Sequence, residues 1–184
     1  MDSLMEKKLR EMLDRHEIYQ VLLRYAHGLD RFDRELVRSC YFEDAIEDHF
    51  NFVGNIEDFI DYANETSGYF VSCQHGLLNH RCDLAGDDAY CETYYLFSGV
   101  SAKPPHFIST GRYIDHFQRR NGEWRIANRV TIIEGTFDVP DSVQAAAFPS
   151  PFGPHEAQPA TRDRNDVSYH RPAIPRKPRP WRPA

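Results

Sequence analysis

Between residues 72 and 136 the chain reads as four strands in succession, and this run restricts the fold more than any other feature. Residues 72–84 (SCQHGLLNHRCDL) have strand composition and end in Ala-Gly-Asp-Asp, a turn signal. Residues 89–100 are rich in Tyr, Phe and Val. A loop at 101–105 leads into a strand at 106–120. That strand closes on Asn121-Gly122, the strongest hairpin signal in the chain. Residues 123–136 return as a further strand carrying Trp124, Ile126, Val130, Ile132 and Ile133. Such a meander needs a second layer over one face.

The preceding residues supply that layer as helices. Residues 2–13 form a short amphipathic lead-in, with Leu4, Leu9, Met12 and Leu13 on its apolar side. Asp14 followed by Glu17 reads as a helix N-terminal box, so a new helix is expected to begin there. Its residues Ile18, Val21, Leu22, Tyr25 and Leu29 fall at helical spacing. Gly28 weakens its end and permits a turn. Asp33 is a natural N-cap for a second helix at 33–40. Residues 41–44 read as a connector, and 45–53 as a short strand or hairpin ending at Gly54. A third helix fits 56–63, with Ile56, Phe59, Ile60 and Ala63 on one side. The expected class is α+β, with three helices on one face of a curved antiparallel sheet enclosing a pocket.

Past Phe137 the character changes, because ten of the 12 prolines lie between Pro140 and Pro183. Residues 1–137 are read as one domain and 138–184 as an extension running over a surface, with Phe148, Phe152 and Trp181 as possible anchors. Residues 167–184 hold five Lys and Arg and no acid, which leaves −11 on a body whose total with them is −6. An acidic body argues against nucleic acid as a partner. No apolar run approaches membrane-spanning length, and the first residues are too charged for a secretory signal, so a cytoplasmic protein is expected. Cys40, Cys73, Cys82 and Cys91 show no metal-binding spacing and read as reduced thiols. There is no HExxH, phosphate-binding glycine loop or GxSxG, so neither metal nor cofactor is expected.

The favoured chemical set is Asp30, His75 and Arg129. Asp30 sits where the first long helix gives out. His75 interrupts an apolar strand, sharing a face with Leu77 and Asn79 while His80 takes the other face. Arg129 lies in the last strand on the face shared with Arg125, Ala127, Thr131 and Ile133. If the sheet curls over the helices, the three can meet in one cup. An aspartate on one imidazole nitrogen then fixes the tautomer and presents the other as a general base. An arginine opposite can stabilise a departing or developing anion. The duller alternatives are equally concrete: a satisfied core histidine, an aspartate capping a turn, and an arginine paired with an acid across the sheet. Tyr25, five residues before Asp30, can add a phenol to the pocket or simply pack. Asn79, Tyr95 and Thr131 complete the candidate substrate contacts. Pocket size depends on which of Phe42, Phe50, Phe52, Tyr69, Phe70, Tyr95 and Phe97 point inward. His80, His106 and His116 are further candidates, while His27 and His49 sit beside charged residues and read as exposed.

Taken together, EIYQVLLRYAHGLDRFD, SCYFEDA, QHGLLNHRCDLAGDDAYCETYY and GRYIDHFQRRNGEWRIANRV resemble the SnoaL-like branch of the nuclear transport factor 2-like superfamily, over roughly residues 14–135. The resemblance implies a cone-shaped α+β barrel with a deep pocket, assembled as a homodimer or homotrimer. It includes dehydratases, dehydrochlorinases, polyketide cyclases and an isomerase. On motif position Asp30 matches the acid of an Asp–His dyad, His75 the base and Arg129 the assisting arginine, while Tyr25 matches a pocket tyrosine. The implied activity is a cofactor-independent lyase or isomerase acting on a small hydrophobic, cyclic substrate. The alternative is a non-catalytic ligand-binding protein or accessory β-type subunit of an aromatic-ring-hydroxylating dioxygenase.

Overall fold

A computed structural model describes residues 3–140 and 161–172. Three helices cover the concave face of a six-stranded sheet. The order along the chain is α1 (Ser3–Asp30), α2 (Arg34–Arg38), β1 (Tyr41–His49), β2 (Phe52–Asn55), α3 (Ile56–Ser67), β3 (Phe70–Ala85), β4 (Asp88–Ser101), β5 (His106–Arg120) and β6 (Glu123–Val139), with a 3-10 turn at Val167–Tyr169. The sheet order is β2-β1-β6-β5-β4-β3. It is open, so β2 and β3 are its edges. All pairs are antiparallel except β1 with β6. The α+β class and the curved sheet agree with the sequence; the one parallel pair departs from it.

The lead-in and the first long helix are one helix. No glycine or proline interrupts residues 3–27, so nothing breaks the backbone at Asp14. That side chain caps nothing: its Oδ1 accepts from Arg119 Nη1 (2.7 Å) and Trp124 Nε1 (3.0 Å), tying α1 to the β5–β6 hairpin. Ile18, Val21, Leu22, Tyr25 and Leu29 are buried, as their spacing requires. Gly28 remains helical and lies against Val37. Asp33 accepts from the Leu36 N–H and caps α2. Residues 41–44, expected as a connector, begin β1, because Tyr41 and Ala45 are buried against the helices. Asn121 and Gly122 both take positive φ (54° and 82°), the geometry of a two-residue hairpin turn.

Three of the sheet's five register shifts bear on the candidate residues, and two of them correct the expected faces. Between Leu77 and His80 two residues of β3, Leu78 and Asn79, oppose one of β4, Tyr94. This bulge turns His80 inward and Asn79 outward. A second bulge, at His116/Phe117, brings Trp124 and Ile126 inward and then Ala127, Arg129, Thr131 and Ile133. Arg125 therefore does not share the Arg129 face. The third lies at Thr110/Gly111. A Cβ at Gly111 would stand 2.0 Å from the Ile132 carbonyl oxygen and 2.8 Å from the Tyr95 hydroxyl, so only glycine permits this close approach.

The core lies between α1, α3 and the inner faces of β4–β6, with Phe59, Tyr113, Phe117 and Trp124 buried. The outer sheet face leaves Leu78, Leu96, Val130 and Ile132 exposed. No helix among the described residues is long and apolar enough to cross a membrane. The proposed anchors Phe148, Phe152 and Trp181 fall outside the described residues.

Candidate active site

Asp30 is the last residue of α1, and β3 is a sheet edge, so outward-facing N–H groups of β3 lack a ladder partner there. The aspartate supplies one. Asp30 Oδ2 accepts from the His75 backbone N–H (3.1 Å), and Asp30 Oδ1 accepts from His75 Nδ1 (2.7 Å). The carboxylate thus holds the strand and the imidazole at once. With Nδ1 donating, Nε2 is left as a proton acceptor. The Cys73 thiol also approaches Asp30 Oδ1 (3.7 Å). Burial, then the Asp30 charge, pushes that thiol up to about 12, so it stays a neutral donor.

His75 opens onto a cavity of about 400 Å³ between α3, the end of α1 and the inner sheet face. Its walls are mainly apolar and aromatic: Phe59 and Tyr62 from α3, Tyr95, Phe97 and Phe107 from the sheet, and Ile133. The Phe97 ring lies 4.9 Å from the imidazole. Among the aromatics left open by periodicity, Phe50, Phe70, Tyr95 and Phe97 line the cavity. Phe42 lies under Arg120 and Arg125, Phe52 packs on Phe59 and Tyr62, and Tyr69 is exposed.

The other sequence candidates divide. Tyr95 lines the cavity and shares a hydrogen bond with Ser109 Oγ (3.3 Å). Thr131 stands one bond behind it, with its Oγ1 3.1 Å from His49 Nδ1. Asn79 points away because of the β3 bulge. Tyr25 and Arg129 line no part of this cavity. Arg129 faces its cross-strand register partner Asp115, donating from Nε (2.6 Å) and Nη2 (2.9 Å). Its guanidinium lies 4.1 Å from the Tyr25 ring centroid and 4.2 Å from that of Tyr113. Burial opposes the charge, and Asp115 outweighs it, holding the guanidinium well above its ordinary range. Burial likewise raises the Tyr25, Tyr41 and Tyr113 phenols, which remain protonated. Only Tyr113 of this cluster reaches the cavity wall.

His49, expected to be exposed, lines the cavity instead. Its Nδ1 contacts Glu47 Oε1 (3.2 Å), and Glu47 is fully buried, with Oε2 accepting from Tyr41 Oη (2.8 Å). The i, i+2 spacing of Glu47 and His49 on one strand face was the available signal, hidden by the flanking acids Glu43, Asp44 and Asp48. His27 is half-buried against Tyr169 (5.1 Å). His106 Nδ1 accepts from the Ser101 N–H, and His116 pairs with Asp88.

Residues 161–172 lie over the end of α1. Arg162 Nη1 donates to the carbonyls of Ser67 (2.6 Å) and Phe70 (2.8 Å), and its guanidinium stacks 3.7 Å from the Phe32 ring centroid. Asp33 accepts from Arg164 (2.9 Å) and from Tyr169 Oη (2.9 Å). Ser67 and Phe70 line the cavity, so this segment braces its rim. Arg162→Ala is expected to cost about 1.5–3 kcal/mol of stability, the worth of hydrogen bonds to a charged group. Amide hydrogen exchange at residues 68–73 should quicken; unchanged exchange there would remove the bracing role.

Comparisons with known proteins agree with this architecture. The SnoaL-like domain model matches residues 10–130. No curated protein sequence matches the chain. Among solved structures, hexachlorocyclohexane dehydrochlorinase LinA-type3 from Novosphingobium barchaimii is 16% identical with a TM-score of 0.67, covering 73% of this chain and 96% of its own. A provisionally named scytalone dehydratase from Novosphingobium aromaticivorans is 20% identical with a TM-score of 0.64, covering 70% and 89%. Kfla4162 from Kribbella flavida is 17% identical with a TM-score of 0.64, covering 69% and 95%.

Proposed function

The chain belongs to the SnoaL-like domain family, and on that premise we propose that it is a cofactor-independent lyase or isomerase acting on a small hydrophobic, cyclic substrate. The observation that carries the reading is the Asp30–His75 contact of 2.7 Å beside an aromatic-walled cavity of about 400 Å³. That volume falls in the range of small-molecule sites. His75 Nε2 takes a proton from a carbon next to a carbonyl or leaving group, and Asp30 supports the resulting imidazolium. The C–H electron pair forms the new double bond as the leaving group departs, or is reprotonated at another carbon. His49, backed by buried Glu47, supplies a proton to a departing hydroxyl from the same cavity. Arg129 acts from behind the wall, holding Tyr113 rather than meeting the leaving anion. Names attached to the dehydrochlorinase and dehydratase neighbours support this first step without choosing among dehydration, dehydrohalogenation and double-bond shift. The exposed outer sheet face supports homodimer or homotrimer assembly.

The test is proton NMR in D2O with a panel of hydroxylated and halogenated ring compounds. Enzyme-dependent exchange, elimination or isomerisation is the expected result. Compounds that bind the cavity by saturation transfer yet undergo none of these would favour the ligand-binding or accessory-subunit reading instead.

A further inference from the structure

Away from the cavity, the inner face of the β3–β4 ladder carries four side chains arranged as a square. His80 and Cys82 are successive inward residues of β3, and their register partners on β4 are Thr93 and Cys91. A ring nitrogen of His80 and the Sγ atoms of Cys82 and Cys91 lie within 4.8 Å of one another. None of the three lines the cavity. His80 is five residues along the strand from His75, about 16 Å at the ordinary rise.

We propose that His80, Cys82 and Cys91 form a binding site for a thiophilic metal ion, with Zn2+ the ion that fits. The donor set is one imidazole and two thiols, with no carboxylate. That chemistry selects Zn2+ over Mg2+ or Ca2+, which take oxygen ligands. His80 is already oriented for the task. Its Nδ1 is engaged by Thr93 Oγ1 (2.9 Å), and Thr93 is fully buried. Its Nε2 is buried and has no hydrogen-bond partner among the described residues. A metal-bound histidine has this arrangement, with the second nitrogen held by an outer partner that fixes the tautomer. A buried unpartnered nitrogen otherwise carries a desolvation cost, which ligation removes. The Tyr19 ring covers the site from α1, 5.4 Å from the His80 ring.

Zn–S and Zn–N bonds of about 2.3 and 2.0–2.1 Å place tetrahedral ligands roughly 3.5–3.8 Å apart, so the donor atoms close by up to about 1 Å on binding. Cys82 is half-buried, which gives the ion an entry path, and Cys91 is buried. Three protein ligands leave the fourth position to water. The sequence hid the site because its ligands come from two strands and meet only through cross-strand register. The spacings Cys82 to Cys91 and His80 to Cys82 match no contiguous zinc motif.

The experiment uses the full chain, reduced and stripped with a chelator, then titrated with Zn2+ by calorimetry and native mass spectrometry. Expected are one tightly bound Zn2+ per chain and protection of Cys82 from iodoacetamide. Cys82→Ser and His80→Gln should each weaken Zn2+ binding by more than about 100-fold, and Thr93→Val by about 10-fold. Cys82 is half-exposed, so its serine variant should fold even where a Cys91 variant does not. Zn2+ binding unchanged in both ligand variants would overturn the site. So would a wild-type chain that takes no Zn2+ with Cys82 and Cys91 both confirmed as free thiols.

Discussion

His75→Ala is expected to abolish turnover while leaving the fold intact, and Asp30→Asn to lower kcat by about 10²–10⁴-fold, the usual worth of a positioned acid–base group. The two variants fail differently. Removing the imidazole deletes the base but leaves Asp30 Oδ2 on the His75 backbone N–H, so the end of α1 stays docked on β3. Far-UV circular dichroism and the unfolding midpoint should therefore change little. Asn at position 30 can still accept from that N–H, but its amide presents a donor to Nδ1. The ring then flips tautomer, with Nδ1 accepting and Nε2 carrying the proton, and it can no longer take one from substrate. KM should change less than kcat in both cases, because the apolar and aromatic side chains that make up most of the cavity wall are untouched. Retained turnover in His75→Ala would remove His75 as the base and turn attention to His49.

Fold and site differed in how much the sequence disclosed. Helical spacing from Ile18 to Leu29 and the Asn121-Gly122 turn each depend on local periodicity or backbone preference, so the layer arrangement could be read directly. The Asp30–His75 contact could also be anticipated, because a helix-terminal aspartate and a strand histidine are each unusual in their local patterns. Facing direction along β3 and β6 could not. A bulge adds one residue and reverses every later side chain, and nothing in LLN or IAN advertises one. That single effect moved Asn79 out and His80 in. His49 was lost for a different reason: local charge suggested solvent, whereas β1 turns Glu47 into the core under Tyr41. Register across strands, which pairs Arg129 with Asp115 and Cys82 with Cys91, is set by the whole sheet.

The pairing of Arg129 with Asp115 leads to the second large effect. Both side chains are wholly buried, so removing one partner leaves an uncompensated charge in the core. Asp115→Leu or Arg129→Met alone should destabilise the chain by about 3–5 kcal/mol, against a total of roughly 5–15 kcal/mol for a typical domain. Either single variant is expected to shift the urea midpoint strongly at unchanged m-value. The double variant Asp115→Leu/Arg129→Met removes both charges and should recover most of that loss, since apolar replacements for a buried pair are often neutral or better. Recovery will be incomplete, because the guanidinium also lies between the Tyr25 and Tyr113 rings and contributes about 2 kcal/mol there when desolvated. A double variant no more stable than the worse single would show that the pair is not the unit of stability. Its activity answers the remaining question. A folded double variant that turns over normally makes Arg129 a support for the Tyr113 wall. A folded one with substrate binding intact and kcat lost would return the arginine to the reacting anion, by way of a closed state in which it leaves Asp115.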